Sequence, residues 1–135
     1  MLFRSETDEL ARQGVRLCVV GRRDRLPGPL VRAIEEAEAA TRSGTRLTLR
    51  LAVDYSSRDL LMAAVRQAAC EATVDRERLG ELLGAVMNAE GPASDVDLLI
   101  RTGGERRLSD FLLWECAYAE LLFTRIMWQI GRAHV

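Results

Sequence analysis

The amino-acid sequence predicts an α/β fold with a mainly parallel sheet flanked by helices. Short apolar, largely β-branched runs alternate with stretches of helical periodicity, and one of those runs feeds directly into a glycine pair. Val15 to Val20 is the first run; it ends at Gly21 and reads as a buried strand. Pro27 and Pro29 then precede Leu30, Ile34 and Ala37, which share one helical face and fade by Ser43-Gly44. Leu47, Leu49, Leu51 and Val53 alternate with Arg46, Thr48, Arg50 and Ala52, the period of a strand with one drier face that ends at Asp54-Tyr55. Ser56 or Ser57 can cap the next helix, with Leu60, Leu61, Ala64, Val65 and Ala68 at helical spacing. Asp75 caps another that carries Leu79, Leu82, Leu83 and Val86 and breaks at Gly91-Pro92. Val96 to Ile100 has the look of a central strand, and Phe111 to Leu122 reads as a further apolar helix. No internal repeat is visible.

Bulk properties narrow the function classes. The 135 residues, 48% hydrophobic and 29% charged, fit one soluble globular domain, which would bury roughly two-thirds of its unfolded surface. Nineteen basic residues against 20 acidic ones, with no long block of either sign, give no electrostatic case for nucleic acid, so any anion site must be local. Cys18, Cys70 and Cys116 are odd in number and far apart, which suits neither a disulfide framework nor metal-ligand spacing and makes a reducing cytosol the simplest compartment. No apolar run approaches the roughly 20 residues of a membrane span, and charges stand where a signal peptide would be apolar.

The chemistry concentrates in Arg101-Thr102-Gly103-Gly104-Glu105-Arg106-Arg107-Leu108-Ser109, which follows the expected strand at Val96 to Ile100. Ligands of open α/β sheets gather at the carboxyl ends of strands. Glycines let a backbone approach an anion, guanidinium groups grip phosphate oxygens by paired hydrogen bonds, and a serine hydroxyl adds a donor. A diphosphate is the natural guest. The alternative is a solvated loop whose arginines merely pair with nearby acids, and spacing alone does not separate the two. Glu105 either orients Arg101 or Arg107 or contacts substrate. Arg58 reads as a structural partner of Asp54 or Asp59, and Phe111, Trp114, Tyr118 and Phe123 as core or subunit packing.

The run Asp97-Leu98-Leu99-Ile100-Arg101-Thr102-Gly103-Gly104-Glu105, followed by Arg107, Ser109, Phe111-Leu112-Leu113-Trp114 and Ala117-Tyr118-Ala119-Glu120, resembles the signature of the cis-prenyltransferases of the undecaprenyl diphosphate synthase type. Upstream, Gly14-Val15-Arg16-Leu17 with Gly21, and Leu47 to Tyr55 with Arg58-Asp59, are similar to the family's preceding strands, so the likeness runs from about Glu6 to Trp128. It implies a magnesium-dependent enzyme that condenses isopentenyl diphosphate onto an allylic diphosphate such as farnesyl diphosphate. Arg101, Arg107 and Ser109, with Gly103, Gly104 and Glu105, match the substrate-binding loop. Glu120 matches a glutamate tied to Mg²⁺ and substrate, expected close to that loop. The resemblance further implies a cytoplasmic homodimer that a lipid product can bring to a membrane surface.

The sequence also departs from the family. The aspartate-glycine-asparagine-glycine-arginine stretch that carries the catalytic aspartate is absent, as are the first strand and the tunnel helices, so an incomplete sheet with exposed edges and an inactive fragment are expected. Asp54-Tyr55-Ser56-Ser57-Arg58 stands where the family more often has asparagine and two glycines. Ile130 to Val135, including His134, spells what a common sequencing adapter encodes, and Leu2 to Ser5 what its complement encodes. The expected boundaries are therefore foreign residues at 1–5, a partial cis-prenyltransferase domain at 6–128, and a foreign tail at 129–135. Two other readings remain: a non-catalytic partner subunit of a cis-prenyltransferase, and a generic phosphate-binding α/β module.

Overall fold

Val15–Val20 forms β1, and its burial on nearly every residue explains its composition: both faces are covered, so the strand has no polar side to alternate with. The computed structural model describes residues 2–128, with side chains described from residue 6 onward. The elements are α1 (Leu2–Arg12), β1 (Val15–Val20), α2 (Gly28–Thr41), β2 (Leu47–Ala52), α3 (Ser57–Ala68), α4 (Arg76–Val86), β3 (Leu98–Arg101) and β4 (Glu120–Phe123). On one face of β1, Cys18 and Val20 pack with Leu60 and Ala64 of α3, Leu82 and Leu83 of α4, and Met87. On the other, Leu17 and Val19 meet Ile34 and Ala37 of α2.

The strands pair in two parallel ribbons, β1 with β2 from Val15↔Leu47 to Val20↔Ala52, and β3 with β4 from Leu98↔Glu120 to Arg101↔Phe123. The ribbons are separate two-stranded sheets. An α/β architecture with parallel strands and flanking helices is thus as predicted. The drier face expected of β2 is not formed: Leu47 is 57% and Leu51 43% exposed, because no layer covers this strand as α2, α3 and α4 cover β1. Leu49, and Val53 just beyond the strand, pack in part against the α2 cluster.

Side chains of α2 close the other edge of β1. The Leu17 N–H donates to Thr41 Oγ1 at 3.1 Å and the Val19 N–H to Glu38 Oε1 at 2.8 Å. Thr41 is wholly buried and hands its hydroxyl proton to the Ala37 carbonyl at 2.8 Å, while Arg23 ties Glu38 Oε1 (2.7 Å) to the Val19 carbonyl (3.0 Å). A buried strand edge must satisfy its amides, and here two oxygens on one helix do so.

Local caps follow the sequence. Ser56 Oγ accepts the Asp59 N–H at 3.1 Å to start α3, and Asp75 Oδ1 accepts the Arg78 N–H at 2.8 Å to start α4. α1 is an element the sequence reading did not assign; it lies against α2 and β1. The strand expected at Val96 to Ile100 begins two residues later and takes in Arg101. The helix expected from Phe111 to Leu122 is absent. Left-handed φ angles at Ser109 (51°), Asp110 (62°) and Leu112 (48°) prevent a helical start, a single turn follows through Cys116 N–H to Leu112 O, and the run ends as β4. Short apolar runs satisfy both periodicities, and pairing with β3 decides this one. Residues 129–135 and Met1, on which the foreign-terminus reading partly rests, lie outside the described residues; Leu2 to Ser5 open α1.

A cavity of about 190 Å³ lies between the ribbons, walled by Val20, Ala52, Met87, Val96 and Phe111, with Arg50 and Glu115 at its polar side. Glu115 is only 4% exposed and its Oε2 has no hydrogen-bond partner. Burial pushes its carboxyl above the usual range, partly offset by its hydrogen bond to its own backbone and by the charge of Arg50.

Two predictions follow from packing. Gly84 of α4 touches the loop after the helix, where a Cβ would fall 2.0 Å from the Gly91 carbonyl oxygen. Helix propensity favours alanine by about 1 kcal/mol, but the backbone clash is the larger effect, so Gly84→Ala should lower unfolding free energy in urea by about 1–3 kcal/mol. A stabilised variant would contradict the contact. Glu115, with its folded pKa raised, binds a proton more tightly folded than unfolded, so its contribution to stability is intact below the unfolded carboxyl pKa of about 4.3 and is lost as pH rises above that value through the raised folded one. Glu115→Gln should raise the thermal midpoint at pH 7 and leave it unchanged near pH 3; an equal gain at both pH values would exclude ionisation as the cause.

Candidate functional site

β3 carries Arg101 to its carboxyl end. Strand alternation puts Arg101 on the same face as the buried Leu99, opposite the exposed Leu98 and Ile100. From there the chain closes on itself: Arg101 Nη1 donates to Ser109 Oγ at 2.8 Å and to the Arg107 carbonyl. Arg107 Nε pairs with Glu105 Oε2 at 3.0 Å, both side chains being more than half exposed. Arg101, Arg107, Ser109 and Glu105 are therefore gathered in one loop, with Glu105 beside Arg107 rather than Arg101.

The glycines serve a different local purpose from the one their spacing suggests. Gly103 and Gly104 have φ of 87° and 83°, a region that disfavours any side chain. Their amides are committed, Gly103 N–H to Ile126 O at 3.1 Å and Gly104 N–H to Thr124 O at 3.0 Å, while the Thr124 N–H returns to the Arg101 carbonyl at 3.0 Å. The two glycines dock the loop onto the segment after β4.

Beyond Ser109 the chain docks onto the first turn of α3. The Asp110 carboxylate accepts the Ser56 hydroxyl at 2.6 Å and the Arg58 N–H at 2.8 Å, and its carbonyl accepts the Ser57 N–H at 3.0 Å. The Ser56 hydrogen bond, then the Arg58 amide and the Arg58 charge, hold the Asp110 carboxyl below the usual range. Ser57 Oγ in turn accepts the Leu113 N–H at 3.0 Å. Sequence reasoning missed Asp110; its partners lie more than 50 residues away, and no local pattern announces them. The expected Arg58 pair with Asp54 or Asp59 is not formed: Arg25 holds both Asp54 oxygens at 2.6 and 2.8 Å, and Arg58 meets Asp110 through its backbone N–H.

Tyr55 and Phe111 meet edge to face with ring centroids 5.3 Å apart. Burial first, and the charge of Glu115 second, push the Tyr55 hydroxyl up to about 12. Trp114 packs against the core cluster of α3 and α4, whereas Tyr118 is exposed under the Arg76 guanidinium, 5.6 Å from its ring centre.

Glu120 is not near the arginine loop. It opens β4 opposite Leu98, about 10 Å of strand from Arg101 at ~3.3 Å per residue, and alternation puts it on the other face of the ribbon. The expected proximity came from the resemblance; in this structure the strand carries Phe123, not Glu120, to Arg101. Among the described residues no group of three or more His, Cys, Asp or Glu is arranged to hold a metal ion. A Mg²⁺ ion bridging Glu120 to an anion on Arg101 of the same chain does not fit this geometry.

Several known proteins are similar to this chain in sequence or in fold. Isoprenyl transferase 1 of Bradyrhizobium diazoefficiens is 53% identical over 124 residues, 92% of this chain and 49% of that protein. The ditrans,polycis-undecaprenyl-diphosphate synthase ((2E,6E)-farnesyl-diphosphate specific) of Francisella tularensis is 43% identical over 128 residues, 93% of this chain and 50% of that one. The chain spans about half the length of the curated relatives it matches. Among solved structures, a probable undecaprenyl diphosphate synthase from Campylobacter jejuni superposes with a TM-score of 0.77 at 31% identity, over 90% of this chain and 56% of that one. Lavandulyl diphosphate synthase from Lavandula x intermedia, solved with dimethylallyl diphosphate, gives 0.79 at 30% identity, over 92% and 56%. With the family profile described as putative undecaprenyl diphosphate synthase matching residues 1–133, the chain belongs to the undecaprenyl diphosphate synthase family of prenyltransferases.

Proposed function

We propose that this chain carries the isopentenyl-diphosphate half-site of a cis-prenyltransferase, an enzyme that condenses isopentenyl diphosphate with an allylic diphosphate such as farnesyl diphosphate and releases diphosphate. The observation that carries the reading is the convergence of Arg101 and Ser109 at 2.8 Å beyond the carboxyl end of β3, with Arg107 in the same loop. Guanidinium and hydroxyl donors so placed can take the non-bridging oxygens of a diphosphate and stabilise the charge that gathers on it. Membership of a prenyltransferase family, and relatives named for isoprenyl transfer, support that guest over a nucleotide.

The same reading includes a divalent cation, Mg²⁺, which would supply charge neutralisation at the diphosphates. Glu120 remains a proposed ligand, but one that must act away from the Arg101 loop of its own chain. A homodimer, a cytoplasmic location and membrane-surface contact through the lipid product belong to this reading as well. No helix among the described residues is long and apolar enough to cross a membrane.

In calorimetry with Mg²⁺ present, wild type should bind isopentenyl diphosphate, and Arg101→Ala should bind at least about tenfold more weakly, the order expected when charge-assisted hydrogen bonds are lost. Equal binding by both would overturn the assignment. The family's aspartate-glycine-asparagine-glycine-arginine run is absent from these 135 residues. Purified chain supplied with both diphosphates and Mg²⁺ should therefore form no polyprenyl diphosphate, and a radiolabelled long-chain product would refute that expectation.

A further inference from the structure

Ser109 and Asp110 have φ of 51° and 62°, and Leu112 follows at 48°. Three side-chain-bearing residues in the left-handed region within four positions do not hold themselves there; an outside restraint must fix them. That restraint is the N-terminus of α3. Its first amides would be orphans, and Asp110 satisfies two of them, Ser57 N–H through its carbonyl at 3.0 Å and Arg58 N–H through Oδ1 at 2.8 Å. Asp110 Oδ2 also takes the hydroxyl proton of Ser56, whose oxygen caps Asp59, at 2.6 Å. Leu113 N–H completes the clasp on Ser57 Oγ at 3.0 Å. Ser109, one residue before this clasp, accepts from Arg101 at 2.8 Å.

We propose that Asp110 is a positioning residue: by binding the first turn of α3 it sets the left-handed bend that holds the Ser109 hydroxyl against Arg101 and gives the anion loop its shape. The inference rests on the reading of that loop as a diphosphate site. Asp110 itself points its carboxylate at the first turn of α3, where it accepts the Ser56 hydroxyl and the Arg58 N–H. A carboxylate beside an anion site would repel the guest; tied to two donors and aimed at a helix N-terminus, its charge is spent on α3 instead.

The experiment titrates inorganic diphosphate with Mg²⁺ into the full 135-residue chain, its Arg101→Ala variant, and Asp110→Ala, Asp110→Asn and Asp75→Ala. Asp75 caps α4 through Arg78 N–H at 2.8 Å, so Asp75→Ala removes a comparable cap away from the loop. Asp110→Ala should weaken diphosphate binding about tenfold or more, as misplacement of binding groups does. Asp110→Asn keeps an oxygen for Arg58 N–H and should restore affinity to within about threefold of wild type. Asp75→Ala should lower the thermal midpoint to a similar degree and leave affinity unchanged. Wild-type affinity in Asp110→Ala, equal losses in Asp75→Ala and Asp110→Ala, or no rescue by asparagine would each overturn the positioning role while Arg101→Ala still loses binding. Undiminished binding by Arg101→Ala, or none by wild type, would instead remove the diphosphate reading on which the role depends.

Discussion

Burial of β1 on both faces is the constraint from which the remaining structure follows. A strand covered on one side by α2 and on the other by α3 and α4 has no solvent face, so its residues are apolar without alternation and its backbone polar groups need partners on both edges. One edge takes β2. The other takes Glu38 and Thr41, which stand in for a neighbouring strand by offering one oxygen to each of two amides. That arrangement terminates the sheet at β1: an incoming strand would have to displace two side chains and the Arg23 bridge behind them. Among the described residues, β2 with its exposed leucines and the β3–β4 ribbon show no such closure. The cavity beside Glu115 lies between Val20 and Ala52 of one ribbon and residues before and between the strands of the other.

The same logic links the first ribbon to the loop. α3 can cover β1 only if it starts immediately after β2, which leaves its N-terminal amides at the level of the strand's end. Ser56 satisfies one locally, and Asp110, arriving from the far side of β3, satisfies others. Core packing and the shape of the arginine loop thus meet at one helix terminus.

What the sequence made legible was local. β1, α2, β2, α3 and α4 fall where periodicity and caps put them, because Ser56 and Asp75 act within three residues of themselves and β1 is a continuous apolar run. What it concealed depends on partners distant in the chain. The segment after Phe111 has apolar residues at helical spacing, but the backbone is bent by Asp110 docking 52 residues back, and Glu120 to Phe123 become a strand only because β3 is there to pair with. Glu120 was expected near the loop from the resemblance alone, and the parallel register instead sets it opposite Leu98, three residues along the ribbon from Arg101. The arginine loop itself was legible in composition. The glycine amides were not, because nothing near them indicates that residues 124–126 would take them.

The loop's present partners bear on whether it can accept an anion at all. Arg101 is bound to two neutral oxygens, a serine hydroxyl and a peptide carbonyl, and Arg107 to the exposed carboxylate of Glu105. Neither of those oxygens carries a charge, so on the proposed reading a diphosphate would offer the Arg101 guanidinium the opposite charge that its present partners lack. An exposed ion pair such as Arg107–Glu105 contributes only about 0–1 kcal/mol, less than one charge-assisted contact to a diphosphate returns. Self-pairing therefore preorganises the donors without blocking them. The glycines reinforce this: tied to Thr124 and Ile126, their amides fix the backbone from which the arginines extend, so that on the proposed reading the energy of binding would not be consumed in ordering the loop.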